Sequence, residues 1–399
     1  MAQHFKYVVV GAGLAGTSAI ESIREHDRDG SLLLIGEEEH LPYDRPPLSK
    51  KLWWGKKRVE DIFLKPADYY AQQSVELRLG RRAVRLDAGT RIVTDARGDQ
   101  YGFDKLLLAT GGKPRRLAIP GGEMEDICYY RTLDDYLAIH ALAEPGRSVI
   151  IVGGGFIGSE LAASLRSNDL DVTMIFPGAH LVDKVFPDYL AKALTTRFME
   201  RGIRIERDRP ASFTKNGNRF VVTTGKGARH EADMVIVGVG ITPDIALAEQ
   251  ANLALDDGIV VDDYLATSHP DIFAAGDIAR YRSVLLGRSK RSEHWDNAMN
   301  QGRCAGANMS GARMRYDYEP YFFSDLFEFG YEAVGETDAR LATFADWQKE
   351  NETGVIYYLR DDRVRGVMLC NVWEKVDEAR ALICSGEAVT SQMLRGRIR

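Results

Sequence analysis

The sequence predicts an α/β protein: two Rossmann-like dinucleotide-binding units followed by a C-terminal α+β segment. Three observations carry this expectation. Residues 7–16 read YVVVGAGLAG, where Val8, Val9 and Val10 suit a strand buried on both faces. Gly11, Gly13 and Gly16 then form G-x-G-x-x-G ahead of a helical stretch, and Gly153, Gly155 and Gly158 repeat the device within VIIVGGGFIGSE at 149–160. From Pro320 the pattern changes to short strands and turns, at 333–335, 353–359 and 365–369. In each fingerprint the first glycine permits the tight turn and the second lets backbone approach a pyrophosphate. The third packs helix on strand, and the helix N-terminus faces the phosphate charge. Two fingerprints imply two dinucleotides.

Taken in order, the strand at 31–35 is followed by Glu37, a carboxylate able to accept from ribose hydroxyls. In LPYDRPPLSKKL (41–52), Pro42, Pro46 and Pro47 hold Tyr43, Asp44 and Arg45 on an extended turn and free 48–52 to start a helix bearing Ser49 and Lys50. Short strands are predicted at 75–84 and 90–94, turning at Gly80 and Gly98. KLLLATGG (105–112) is a buried strand running into a Thr-Gly-Gly turn; Pro114, Pro120, Gly121 and Gly122 mark a crossing between domains. Thr132 and Asp135 read as the capping box of a helix over 132–144.

The strand at 171–176 ends without the acid that usually receives the ribose 2′-hydroxyl, on Phe176-Pro177-Gly178-Ala179-His180. Losing one such hydrogen bond costs about 0.5–1.5 kcal/mol. It also removes the repulsion against a 2′-phosphate, and no arginine stands there in sequence to receive one. Strands at 203–207, 219–224 and 231–240 complete this domain. A buried strand at 272–275 ends in Gly276-Asp277, aiming a carboxylate at the ligand crevice. Arg288, Lys290 and Arg291 precede a helical stretch at 293–308.

A chain of 399 residues, 45% hydrophobic and 28% charged, has room for two or three well-cored domains. Its net charge of −6 argues against general nucleic-acid binding. No apolar run reaches membrane-spanning length. The fingerprint starts almost at Met1, so no cleavable leader and a cytoplasmic location are expected. Cys128, Cys304, Cys370 and Cys384 form no close pair, which leaves neither a redox dithiol nor a zinc cluster; no metal site is expected.

The order of these pieces resembles the FAD-dependent pyridine-nucleotide oxidoreductases, within them the apoptosis-inducing factor and ferredoxin (rubredoxin) reductase group. The matching segments are PYDRPPLSK (42–50), LLLATGG (106–112), GGGFIGSE (153–160), FAAGD (273–277), EHWDNAMNQGRCAGANM (293–309) and FSDLFEFGYEAVG (323–335). The resemblance implies a glutathione-reductase-like nesting: an FAD domain at 1–112 and 253–319, an NAD(P)H domain at 113–252 and a C-terminal α+β domain at 320–399. It implies that FAD is held by Gly11, Gly13, Gly16, Glu37, Glu38, Arg45, Lys50, Val84, Thr110, Gly111, Arg131, Asp277, His294, Trp295 and Phe323. For NADH or NADPH it implies Gly153, Gly155, Phe156, Ile157, Gly158, Glu160, Gly240, Glu293 and Glu332. Lys50 and Glu160 would pair beside flavin N5, and these two with His294 are the expected catalytic residues. Phe323 stands where relatives commonly carry a tryptophan. His294 matches the apoptosis-inducing factor pattern, whereas Trp295 and Asn297-Ala298 match the reductases.

Without a thiol pair, electrons reaching the flavin must leave it directly. The expected function is NAD(P)H-dependent reduction of a small iron-sulfur or rubredoxin-type carrier, with Arg288, Lys290 and Arg291 steering an acidic partner. The alternative is an NADH-responsive protein whose long-lived reduced complex controls dimerisation or partner binding. A monomer or a redox-dependent homodimer is expected.

Overall fold

The computed structural model describes residues 2–399, which divide into two compact units. The first comprises the chain through Asp44, Val59–Lys113 and Pro243–Tyr321. Its sheet runs in parallel from Val75–Arg78 through Leu32–Ile35 and Gln3–Val10 to Gln100–Leu108, whose far end also pairs Ile272–Ala274. The antiparallel pair Ile92–Asp95 and Ala83–Asp87 completes it. Val8, Val9, Leu33, Leu34, Leu106 and Leu107 are wholly buried, as continuous apolar strands covered on both faces require. Helix Leu14–His26 packs on helix Trp295–Met309 at backbone contact. A Cβ added to Gly302 would lie 2.2 Å from Ala15 O, and one added to Gly306 would lie 2.3 Å from Ala19 O. The small residues of GRCAGAN therefore set that closeness.

The second unit comprises Arg45–Arg58, Pro114–Thr242 and Phe322–Arg399. A parallel sheet runs in the order Arg204–Glu206, Asp171–Ile175, Ser148–Val152, Met234–Val237, Cys128–Tyr129. A three-stranded antiparallel sheet, Pro210–Asn216, Arg219–Thr224 and Arg229–Ala232, adjoins it in sequence. The C-terminal stretch forms its own five-stranded sheet in the order Tyr321–Leu326, Phe329–Gly335, Arg363–Cys370, Thr353–Arg360, Ala342–Lys349, followed by helices Val376–Ser385 and Ser391–Leu394. It groups with the second unit: Phe186 packs edge-on against Tyr331 at 5.0 Å, and the Tyr358 hydroxyl donates to Val185 O at 2.8 Å.

Several elements differ from expectation. The helix anticipated at 48–52 is only a 3-10 turn, Pro46–Ser49, followed by turns. The capping box of Thr132 and Asp135 is formed, but its helix, Leu133–His140, ends before 144. The strand expected at 231–240 breaks at Asp233, whose carboxylate turns to accept from Ser148 N and Oγ. Arg288–Arg291, for which no element is predicted, is a strand paired with Ala279–Ser283. Residues 45–58 pack with the second unit and 243–252 with the first.

Candidate functional site

Each fingerprint folds into the same backbone cradle. Gly11 has φ +122°, and a Cβ there would lie 2.1 Å from Ala109 O; Gly153 has φ +123°, with Gly238 O at 2.2 Å. The third glycines are equally confined, Gly16 at 2.1 Å from Gly11 O and Gly158 at 2.2 Å from Gly153 O. The middle glycines differ: a Cβ on Gly13 or Gly155 would meet nothing within 4 Å. Both are N-caps, and neither supplies a side-chain cap to the helix that follows. Each cradle therefore presents open space against uncapped helical N–H groups with no acid in the first turn, which is what a pyrophosphate requires. Both fit a dinucleotide.

Around the first cradle, Glu37 is more than half exposed, with Arg82 3.6 Å away. Glu38 accepts from the Tyr43 hydroxyl at 2.6 Å. The Thr110 hydroxyl donates to Asp244 O, Asp244 N–H donates to Gly111 O, and the Asp244 carboxylate pairs with Lys113 at 2.8 Å. Asp277 lies in the 3-10 turn Gly276–Ile278, its carbonyl accepting from Arg291. Gly276 N–H donates to the buried Gln301 Oε1 at 2.9 Å, while Gln301 Nε2 has no partner among the described residues. That buried, unspent donor is a further fit to a bound polar ligand. His294 caps helix Trp295–Met309; burial and then the Lys290 charge bring its pKa down to about 4, so the ring is neutral. Trp295 Nε1 donates to Asp44 at 2.7 Å. Val84 sits on the edge strand in a groove of about 640 Å³ with Gln250 and Asn252, while Arg81 N–H reaches Gly36 O. Glu293 pairs with Arg291 at 2.6 Å.

In the second unit, Lys50 Nζ lies 3.1 Å from Glu160 Oε1, with both side chains buried. Two hydroxyls join them: Ser324 donates to Glu160 Oε1 at 2.5 Å, and Ser49 donates to Oε2. Glu160 thus accepts from three donors, drawn from the proline turn and the C-terminal sheet. The Lys50 ammonium also lies 4.7 Å from the centre of the Phe323 ring. Phe156 packs on Phe322 at 5.4 Å, Ile157 is exposed, and Arg45 donates to Arg131 O at 2.7 Å. Gly240 has φ +99° and accepts from Arg115 N–H. Glu332 Oε2 is buried without a partner among the described residues, and burial followed by the Glu374 charge raises that carboxyl's pKa.

The expected residues are thus shared out. The first unit holds the Gly11 cradle, Glu37, Glu38, Thr110, Gly111, Asp277, Glu293, His294 and Trp295; the second holds the Gly153 cradle, Arg45, Lys50, Arg131, Glu160, Gly240, Phe323 and Glu332. Sequence reasoning missed the roles of Ser49, Ser324 and Gln301. All three stand inside the quoted motifs, but nothing local says that a serine will meet a glutamate more than 100 positions away.

One expectation fails for two of its three residues, while Arg288 stays exposed. Lys290 is paired with the buried Glu319, and the Arg291 side chain is only 8% exposed, bound to Asp257 and Glu293. Neither is available to steer a partner. The four cysteines are free thiols; burial raises the pKa of Cys128 and Cys370, and takes Cys304 up to about 12. The described residues contain no group of three His, Cys, Asp or Glu fit for a metal, and no helix long and apolar enough to cross a membrane.

A family model for pyridine nucleotide-disulphide oxidoreductases matches residues 5–302, and one for the C-terminal region of apoptosis-inducing factor matches 305–353 and 345–385. The chain is 34% identical to the ferredoxin–NAD(+) reductase component of an anthranilate 1,2-dioxygenase system from Burkholderia cepacia, over 97% of this chain and 96% of that protein. It is 33% identical to mitochondrial apoptosis-inducing factor 1 of Dictyostelium discoideum, over 96% of this chain and 78% of the relative. Among solved structures it is similar to a covalent putidaredoxin reductase–putidaredoxin complex, with TM-score 0.91 and 30% identity over 99% of this chain and 96% of the other. The repeated cradle and these likenesses together place the chain in the pyridine nucleotide-disulphide oxidoreductase family, in the group that contains the ferredoxin reductases and apoptosis-inducing factor.

Proposed function

We propose that this protein is an NAD(P)H-dependent flavoprotein reductase that passes electrons directly to a small carrier of the ferredoxin or rubredoxin type. The observation that carries the reading is the duplicated cradle, with an open middle glycine in each copy and no thiol pair among the described residues. We assign FAD to the Gly11 cradle with Glu37, Glu38, Thr110, Gly111, Asp277, His294 and Trp295. Arg45, Lys50, Val84, Arg131 and Phe323 keep the flavin roles that the family resemblance implies. We assign the nicotinamide cofactor to the Gly153 cradle with Phe156, Ile157, Glu160, Gly240 and Glu332, and keep Glu293 there on the same resemblance. The unpartnered Glu332 Oε2 is an acceptor suited to a carboxamide N–H.

When bound, the two cofactors supply hydride transfer from nicotinamide C4 to flavin N5. The chain's own contribution is placement and charge. Glu160 is held by three donors and in turn holds the Lys50 ammonium at a fixed point in a site with little water, where charge acts strongly. Neutral His294 adds a polar ring without a charge. The carrier partner is supported by the named activities of the bacterial relatives and by the reductase–carrier complex among the similar structures. We keep three domains, at 1–112 with 253–319, 113–252 and 320–399. A cytoplasmic location fits four unpaired thiols.

Anaerobic mixing with NADH in a stopped-flow instrument, followed by air or a one-electron acceptor, tests the reading. Rapid bleaching of the flavin band and rapid re-oxidation are expected. Bleaching into a persistent long-wavelength charge-transfer band would instead favour the redox-responsive alternative.

A further inference from the structure

We propose that Asp183 is the carboxylate that receives the adenosine ribose at the second cradle, and that it makes the site prefer NADH to NADPH. This rests on the reading that the second cradle takes the nicotinamide cofactor.

The two cradles align by their hydrogen bonds. Gly11 N–H donates to Ile35 O as Gly153 N–H donates to Ile175 O, and Gly36 N–H donates to Arg78 O as Phe176 N–H donates to Glu206 O. Glu37 therefore corresponds to Pro177, and Glu38 to Gly178. Both acids of the first half are missing from the second. A size exchange accompanies the loss. In the first half a Cβ on Gly36 would meet Ala12 Cβ at 2.6 Å; in the second, a Cβ on Gly154 would meet the Phe176 ring at 2.7 Å. The residue beyond the strand is committed to packing on the cradle.

A carboxylate returns from further along the chain. A Cβ on Gly178 would lie 2.5 Å from Asp183 Oδ2, so the Asp183 carboxylate fills the space a side chain at the Glu38-equivalent position would enter. The preceding residue, Val182, is a buried β-branched residue at φ +47°, a conformation that costs energy. Its N–H donates to Gly154 O at 2.9 Å, which ties the loop to the fingerprint itself. Asp183 is half-buried and makes no hydrogen bond or ion pair with any described residue, so its acceptor capacity is unspent. A cation tied to this loop is Arg207, whose Nε donates to Ala179 O at 2.8 Å. With Asp183 present the loop offers an acceptor to ribose hydroxyls and repels a 2′-phosphate. Without it, Arg207 is left to favour one.

The test uses the FAD-loaded protein and the variants Asp183→Asn, Asp183→Glu and Asp183→Asn/Arg207→Gln. Calorimetry measures binding of 5′-AMP and 2′,5′-ADP, and anaerobic stopped-flow measures reduction by NADH and NADPH. The wild type is expected to bind 5′-AMP more tightly and to be reduced faster by NADH. Asp183→Asn should move both ratios toward the 2′-phosphate by about tenfold or more. Asp183→Glu should retain the preference, and Arg207→Gln should cancel the 2′,5′-ADP affinity that Asp183→Asn gains. A wild type that prefers 2′,5′-ADP, or ratios within twofold after Asp183→Asn, overturns the assignment. If both dinucleotides reduce the flavin while Asp183→Asn is silent, only this inference falls. If neither reduces it and neither nucleotide binds, the proposed function falls with it.

Discussion

Removing the Glu160 carboxylate is the most demanding perturbation the structure allows. At 3.1 Å, and with an effective dielectric of about 20, its attraction for Lys50 is worth about 5 kcal/mol, against which both groups' desolvation must be set. Glu160→Ala deletes the attraction but leaves the desolvation of Lys50, whose side chain is 3% exposed. The Ser49 and Ser324 hydroxyls also lose their acceptor. Breaking a buried pair from one side costs about 3–5 kcal/mol. In a unit of this size that is a fall in Tm of roughly 10 °C. Replacing both partners, as Lys50→Met with Glu160→Leu, should restore most of the loss, because no unpaired charge then remains. Thermal and urea unfolding of the two variants beside the wild type measure this. Stopped-flow reduction by NADH on FAD-loaded Glu160→Ala should also be slowed. A single variant within about 1 kcal/mol of wild type, reduced at the wild-type rate, would refute both the energetic and the functional argument.

Two further outcomes follow from other parts of the site. Gly13→Ala should unfold like the FAD-free wild type while the protein loses its yellow colour, since the added methyl meets only the open space of the cradle; Gly16→Ala, 2.1 Å from Gly11 O, should instead destabilise the fold even without FAD. A Gly13→Ala protein that keeps stoichiometric FAD would contradict the cradle's assignment. His294 titrates near 4 when folded and near 6.5 when unfolded, so between these values the unfolded chain binds a proton that the native chain does not. Its stabilisation is complete above pH 6.5 and is lost as pH falls toward 4, amounting to about 2 kcal/mol by pH 5. Urea unfolding at pH 7.5 and pH 5 should show this loss in the wild type and a flatter profile in His294→Gln; equal profiles would remove His294 as the cause.

The features that the sequence by itself determined are those governed by a few adjacent residues. A glycine at φ +122°, a middle glycine left open and a third against the first one's carbonyl are requirements met within six positions, so both fingerprints were legible. The capping box of Thr132 and Asp135 spans four positions and was legible for the same reason. So was the family, because its motifs lie along nearly the whole chain. Tertiary structure decided which side chains meet. Glu160 takes its donors from Ser49, Lys50 and Ser324, between 110 and 164 positions away, and only the packing of the proline turn and the C-terminal strand against one helix brings them together. Lys290 and Arg291 are expected from sequence to steer an acidic partner, but strand pairing with Ala279–Ser283 puts them beside Glu319, Asp257 and Glu293. The missing ribose acid is the sharpest case. Residues 176–180 contain none, and a loop turned by Val182 at positive φ carries Asp183 back to Gly178. Backbone stereochemistry is a local constraint and can be read along the chain, whereas a charge acts on whatever the fold places within a few ångströms of it.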